Sequence, residues 1–273
     1  MQKVFDTPTP TALYVELGAG ALTVHTDDVA ETVIDVHGKD ADDVLVEQRG
    51  NEIVVLAPQR RGGLFGSTPD LDVHVSMPYS SALRTKLGSA DLRVMGRIGE
   101  AMLKSGSGDM SIERIDGDAS IATGSGDLDL EEARGSIEMK SGSGDITVEK
   151  VGGDASISTG SGDVDLGQAD GSIEVKSGSG DLRLREVQRD VVFSTASGDL
   201  VVDLVHRGQV FAKNASGDIT IGVAAGVPVW TDVNTVTGSV RSSLQGAGQP
   251  EEGQDFIELR AKTVSGDIYL EQR

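Results

Sequence analysis

The sequence predicts an all-β solenoid built from two-strand coils of 18 residues. Three observations carry that prediction. The word "SGSGD" stands at Ser105–Asp109, Ser141–Asp145 and Ser177–Asp181, with "TGSGD" midway between, at Thr123–Asp127 and Thr159–Asp163. Taking the aspartate of each Gly-Asp corner as a marker gives Asp91, Asp109, Asp127, Asp145, Asp163, Asp181 and Asp199, each step being 18 residues. Finally, apolar residues recur 1, 3, 6, 10 and 12 positions after the marker, and no helical periodicity lies between them.

Each unit divides into two similar halves. After Asp109 the apolar positions are Met110, Ile112, Ile115, Ala119 and Ile121; after Asp127 they are Leu128, Leu130, Ala133, Ile137 and Met139. Asp145 is followed by Ile146, Val148, Val151, Ala155 and Ile157, and Asp163 by Val164, Leu166, Ala169, Ile173 and Val175. Asp181 gives Leu182, Leu184, Val187, Val191 and Phe193. The first two positions of each set mark one short alternating strand and the last two another, so like strands of successive coils stack in parallel. A single coil buries too little to stand alone, and its neighbours supply the missing hydrogen bonds and the cover for its core.

The glycines then read as corners. Glycine admits positive φ, and Ser or Asp bonds nearby backbone N–H groups. The predicted corner residues are Gly108-Asp109, Gly126-Asp127, Gly144-Asp145, Gly162-Asp163, Gly180-Asp181 and Gly198-Asp199. A second corner falls at Gly117-Asp118, Gly135-Ser136, Gly153-Asp154 and Gly171-Ser172.

Three regions follow: residues 1–85 as a β-rich N-terminal cap, 86–222 as the regular solenoid, and 223–273 as irregular final coils and a C-terminal cap. In the first, "ALYVEL", "ALTVHT", "TVIDVHG", "DVLVEQ", "EIVVLAP" and "LDVHVSMP" alternate without the 18-residue beat, and Arg49–Asn51 marks a hairpin turn. "APQRRGGLFGSTPD" (Ala57–Asp70) reads as a long basic loop. After Asp218 the beat loosens; "GVPVWTDVNTVTGSVRSSL" still resembles a coil, Gln245–Asp255 reads as an exposed loop, and "FIELRAKTVSGDIYLEQR" makes a last pair of strands.

Composition bounds the partners. The chain has 273 residues, of which 44 are acidic and 24 are Lys or Arg, giving a net charge of −20. That charge repels phosphate backbones and anionic lipid, so nucleic acid and membrane insertion are disfavoured. Cysteine is absent, which excludes disulfides and thiolate metal sites. "MQKVFDTPTPTALYVEL" lacks the apolar run of a secretory signal, and no stretch approaches the length of a membrane span, so the expected location is cytoplasmic.

The residues also carry a resemblance. An alternating segment ending in a "V-x-M-P" strand ("VHVSMPYSSALRTKLGSADLRV"), serial "SGD" units each opening a short strand, and a terminal "TVSGDIYLEQR" are similar to the bacterial "putative adhesin" (DUF4097-type) β-strand-repeat family across almost the whole chain. The resemblance implies a right-handed β-helix-like solenoid and an adhesion or envelope-associated role, with no catalytic residues and no cofactor.

Other chemistries are weighed on the same residues. Calcium-binding nonapeptide repeats place Asp differently relative to Gly, yet a ladder of Asp109, Asp127, Asp145, Asp163 and Asp181 stacks carboxylates about 5 Å apart, which corner N–H groups, water or cations must compensate. A hexapeptide acyltransferase helix requires an aliphatic residue where this repeat has its Asp. A polysaccharide lyase or hydrolase, the less favoured enzyme reading, would draw on the outward acids Glu113, Asp129, Glu131, Glu149 and Asp165 of one sheet, but no loop interrupts the coils to make a cleft, and no basic or aromatic residue is expected beside them to hold a sugar. The opposite sheet carries Glu138 with Lys140, Glu174 with Lys176, and Lys104, alternating with Ser120, Ala122, Ser156 and Ser158. His25, His37, His74 and His206 are too scattered to suggest zinc, and no phosphate-binding loop is present. The expected function is a non-enzymatic interaction solenoid that binds a protein or glycan through its repeated faces. The alternative is a cytoplasmic scaffold that associates with itself.

Overall fold

The computed structural model describes residues 1–58, 70–245 and 255–273. Most of residues Ala57–Asp70 and Gln245–Asp255, the two loops expected from the sequence, lie outside the described residues. The chain forms two compact units, Met1–Gly135 and Ser136–Arg273. Strands make up 67% of it, and no described helix is long and apolar enough to cross a membrane.

In the first unit, four coils stack through parallel pairing. Their strand pairs are Ala12–Leu17 with Ala19–Asp27, Ala82–Leu87 with Asp91–Ile98, Ala101–Ser105 with Met110–Ile115, and Ala119–Thr123 with Leu128–Ala133. Ala12 is opposite Ala82, Leu83 opposite Ala101 and Ala101 opposite Ala119, while on the other sheet Ala21 meets Asp91 and Met110 meets Leu128. The segment between the first two coils is an excursion. Its strands Glu52–Leu56 and Asp70–Pro78 add a further parallel coil outside Ala12–Asp27. Antiparallel strands then close that end: Leu45–Arg49 on Glu52–Leu56 across the Arg49–Asn51 hairpin, Glu31–His37 on Asp70–Pro78, and Gln2–Asp6 on Glu31–His37. Reversing the strand direction ends the parallel ladder, and the two outermost strands are five residues long and carry Lys3, Glu47 and Arg49.

The second unit repeats the stack with Ile137–Ser141 and Ile146–Val151, Ala155–Ser161 and Val164–Ala169, Ile173–Ser179 and Leu182–Val187, Val191–Ser197 and Leu200–Val205, then Gly208–Lys213 and Ile219–Val223. Ile137 faces Ala155, Ala155 faces Ile173, and Ile173 faces Val191, an 18-residue register that becomes 19 where Val191 meets Val210. The chain's last strands, Ile257–Ser265 and Ile268–Gln272, pair directly with Gly208–Lys213 and Ile219–Val223. Val229–Thr237 and Val240–Ser242, earlier in sequence, pair outside them and end both sheets. The last strands in sequence are therefore next to last in space.

After Asp109, Asp127, Asp145, Asp163 and Asp181 the side chains 1, 3, 6, 10 and 12 positions on point inward and are buried; Met110, Ile112, Ile115, Ala119 and Ile121 are typical. Large and small residues meet in places along the stack: Ala155 lies between Ile137 and Ile173, and Phe193 between Val175 and Ala212. Such pairing of sizes lets coils of constant spacing fill one core without voids.

Near the C-terminus, Arg183 donates through Nε (3.0 Å) and Nη2 (2.7 Å) to Asp203, whose other oxygen takes Nη1 of Arg273 at 3.1 Å. Burial pushes the Asp203 carboxyl up, but the bonds from Arg183 and Arg273 outweigh it and hold the group below its ordinary range. Its contribution is complete above the ordinary carboxylate pKa and disappears as pH falls through the lowered value. Asp203→Asn is expected to cost about 1 kcal/mol at neutral pH, as a charge-assisted pair on a partly covered surface does. Denaturant titrations at neutral and strongly acidic pH check this, with the difference between variant and parent vanishing in acid.

Candidate functional site

The corners come first, because the glycine-rich words invited a ligand. The carboxylates of Asp91, Asp109, Asp145, Asp163, Asp181, Asp199, Asp218 and Asp267 instead accept the backbone N–H of the next corner in the stack. Asp109 N–H reaches Asp91 Oδ1 at 3.0 Å, and Asp127 N–H reaches Asp109 at 2.9 Å. In the second unit the bonds run from Asp163 to Asp145, Asp181 to Asp163 and Asp199 to Asp181, each at 2.8 Å. They continue from Asp218 to Asp199 and from Asp267 to Asp218 at 2.7 Å, ending with Ser239 on Asp267 at 2.8 Å. At Asp267 the Ser239 N–H, with the Tyr269 hydroxyl, holds the carboxyl below its usual range. Every bond of this kind offsets the repulsion between stacked acids, so the ladder's geometry is accounted for by hydrogen bonding along the stack.

The hydroxyl that opens each word works locally. Ser105 Oγ and Ser141 Oγ accept the N–H of Gly108 and Gly144 at 3.0 Å, and Thr123 does the same for Gly126 at 3.1 Å. From Thr159 onward the corner changes: Gly162, Gly180 and Gly198 take positive φ, and Thr159, Ser177 and Thr195 donate to the carbonyl two residues ahead. One sequence word thus serves two corner geometries.

The outward acids are mostly engaged. Arg185 bridges Glu149, at 3.1 Å through both terminal nitrogens, and Asp165 at 3.2 Å. Glu138 pairs with Lys140 at 2.6 Å and Glu174 with Lys176 at 2.5 Å, each within its own strand. His206 Nε2 meets Glu186 at 2.9 Å, and His37 and His74 come together edge-on with centroids 5.9 Å apart, whereas His25 joins neither. Among the described residues, no group of three or more His, Asp or Glu is placed to hold a metal ion.

A candidate site lies elsewhere, in the first unit. In Asp91–Ile98 the register slips by one residue, so that Ile112 is opposite Val94 but Arg114 is opposite Arg97. The bulge is fixed from both sides. Arg97 N–H donates to Thr26 Oγ1 at 2.8 Å, and that hydroxyl donates to Arg97 C=O at 3.0 Å. Gly96 sits at φ +89, where a Cβ would lie 2.5 Å from Thr26 Oγ1, and its N–H donates to Glu113 Oε2 at 2.6 Å. Bulges re-aim side chains. Here Arg97 is turned over the Tyr79 ring, 4.4 Å from its centroid, and the Tyr79 hydroxyl donates to Asp27 Oδ1 at 3.1 Å. That bond to Asp27 raises the Tyr79 pKa, so the hydroxyl stays protonated; the N–H of Asp28, then Tyr79, holds Asp27 low.

The result is a groove of about 470 Å³ lined by Tyr79, Gly96, Arg97, Glu113, Arg114, Glu131 and Glu132. Arg114 pairs with Glu132 at 2.7 Å, and Arg134 reaches the same carboxylate at 3.6 Å. The Nε atoms of Arg97 and Arg114 are buried and have no hydrogen-bond partner among the described residues. The expectation that no basic or aromatic residue stands beside the outward acids is therefore corrected at Glu113 and Glu131, which face Arg97, Arg114 and Tyr79, and at Glu149 and Asp165, which hold Arg185. The sequence does carry a signal for the bulge: after Asp91 the third inward apolar residue is Ile98, seven positions on, where the coils opened by Asp109, Asp127, Asp145, Asp163, Asp181 and Asp199 have it at six. In the second unit a hollow of about 520 Å³ beside Arg189, Asp190 and Arg207 accompanies the 19-residue step.

Fold and groove together define a β-solenoid repeat protein with a polar, aromatic-floored surface groove. A model of the Toastrack DUF4097 family matches residues 17–271, and the chain belongs to that family. No curated protein matches it. Among solved structures it is similar to a "putative adhesin" of Bacteroides fragilis, at 11% identity over 99% of this chain and 96% of that one, with a TM-score of 0.43. It is similar as well to a "putative cell adhesion protein" of Clostridium sporogenes, at 11% identity over 100% and 99% of the two chains and a TM-score of 0.22. A "putative lipid binding protein" of Parabacteroides distasonis matches at 13% identity over 97% and 96%, with a TM-score of 0.32. None reaches a TM-score of 0.5, and the family assignment rests on the matched sequence.

Proposed function

We propose that this chain is a non-catalytic binding protein whose partner is a glycan held in the Tyr79–Arg97–Arg114 groove. The observation that carries the reading is the lining itself: the Tyr79 ring with Arg97 stacked on it, the Arg97 and Arg114 guanidinium groups, and the carboxylates of Glu113, Glu131 and Glu132 within one groove. Sugar hydroxyls donate and accept at once, so alternating guanidinium and carboxylate groups suit them better than they suit an apolar peptide face. Glu113 is committed to the Gly96 N–H, and Glu132 to Arg114, so the groove lacks the pair of free carboxyls that glycoside hydrolysis uses. The adhesion role implied by the family resemblance agrees with this chemistry.

Binding to an array of neutral, amino and uronic oligosaccharides, followed by calorimetry on the best one, tests the proposal. Tyr79→Ala is expected to weaken binding about tenfold, or ~1.4 kcal/mol, while leaving the circular dichroism spectrum unchanged. Absence of binding across the array, or a folded Tyr79→Ala protein with unaltered affinity, would overturn it.

A further inference from the structure

We infer that two copies of this chain pair through the terminal strand Val229–Thr237, antiparallel and about a two-fold axis at Val233. The inference goes beyond the glycan reading and does not depend on it, because the strand belongs to the other unit.

The strand ends its sheet, pairing on one side with Ile257–Ser265. Ile257 N–H donates to Pro228 C=O at 2.9 Å. The alternation of a parallel ladder then turns the amides of Trp230 and Asp232 toward Ile257–Ser265 and leaves those of Val229, Thr231 and Val233 on the outer edge. An exposed strand edge is a template for another chain, and proteins blunt it with lysine, proline, bulges or short length. The terminal strands of the first unit are short, charged and antiparallel. This one is nine residues long, reads VWTDVNTVT, and has no lysine, proline or glycine. Trp230 is 53% and Val236 72% exposed, with Val240, Phe256 and Val264 also open to solvent.

A second copy is the occupant that charge and register favour. The coil Val229–Ser242 carries one acid, Asp232, and one base, Arg241, on a chain of net charge −20. Asp232 is further balanced by Lys262 at 3.3 Å. A basic partner would find little to attract it here, whereas a like copy meets no like charge opposed to its own along this strand. With Val233 opposite Val233 of the second copy, Trp230 faces Val236, Thr231 faces Thr235 and Asp232 faces Asn234. Apolar side chains therefore meet apolar ones, and no like charges oppose one another. A two-fold contact of this kind closes on itself, giving a dimer and not a fibre.

Sedimentation velocity of the full chain over the micromolar range tests this. A concentration-dependent monomer–dimer equilibrium is expected. Val236→Lys should raise its dissociation constant about tenfold or more, and adding Trp230→Glu to Val236→Lys should restore dimerisation by placing opposite charges across the axis. Val4→Lys, on the terminal strand Gln2–Asp6 of the first unit, should leave the dimer unchanged. A monomer at every concentration, a dimer indifferent to Val236→Lys, or a folded double variant that stays monomeric would overturn the inference.

Discussion

Gly180→Ala is expected to lower the unfolding free energy by about 3–5 kcal/mol, an effect normally reserved for core cavities or trapped charge. Gly180 lies at φ +123, and a Cβ there would stand 2.3 Å from Gly162 O and 2.8 Å from its carbonyl carbon. Positive φ in a non-glycine residue costs on the order of 1–2 kcal/mol. The contact adds more, because the obstacle is backbone that cannot swing aside. Gly162 is held against Gly144 in the same way, with its own Cβ position 2.6 Å from Gly144 O. Relief would have to pass from corner to corner along the stack. Gly226 provides the control: it has φ +78 but nothing within 4 Å of its Cβ position, so Gly226→Ala should cost only about 1 kcal/mol. Urea titrations of the two variants separate strain from collision, and equal losses would show that stacking contributes nothing.

Phe193→Ala is expected to cost about 3–5 kcal/mol, the range for deleting a buried aromatic ring. Phe193 is 1% exposed and the largest of the fully buried side chains. Its neighbours along the stack are Val175 on one side and Ala212 on the other. Ala212 is too small to reach into the space, and the coil spacing is set by backbone hydrogen bonds that resist collapse. Adding Ala212→Phe to Phe193→Ala should recover part of the loss by filling the gap from the adjacent coil. Denaturation midpoints of the single and double variants measure this. No recovery would mean that each coil tolerates only its own volume.

These expectations follow from positions that the sequence marks clearly. The 18-residue beat places the inward side chains of every regular coil, because a strand pair with tight corners admits one alternation of faces. The bulge at Gly96-Arg97 left a smaller trace, one extra residue between Val94 and Ile98. The groove it builds was not legible, since Tyr79 and Thr26 come from segments without the beat and meet Arg97 only through parallel pairing on Ala19–Asp27. Arg185 was hidden for a similar reason: it reaches back across two coils to Glu149, 36 residues earlier.

The corners show the same division. "SGSGD" at Ser105 and at Ser177 is one word, yet Ser105 Oγ bonds both the N–H and the C=O of Gly108, while Ser177 Oγ donates to Ser179 C=O just ahead of Gly180 at positive φ. Both geometries satisfy a short corner, and the coil beneath selects between them. At the ends of the chain the order of coils itself was decided in three dimensions. Val229–Ser242 and Ile257–Gln272 both carry coil-like alternation, so either fits against Gly208–Val223. The later segment brings Asp267, whose N–H reaches Asp218 and whose carboxylate receives Ser239; the earlier one has Ser239 at that corner and offers no carboxylate to continue the ladder. By itself the sequence determined the two-strand coil, its inward face and its corner chemistry, all of which are local and repeat every 18 residues. Which coil neighbours which, and hence which edge is left open, depended on pairing between distant segments, for which an alternating pattern specifies a face but not a partner.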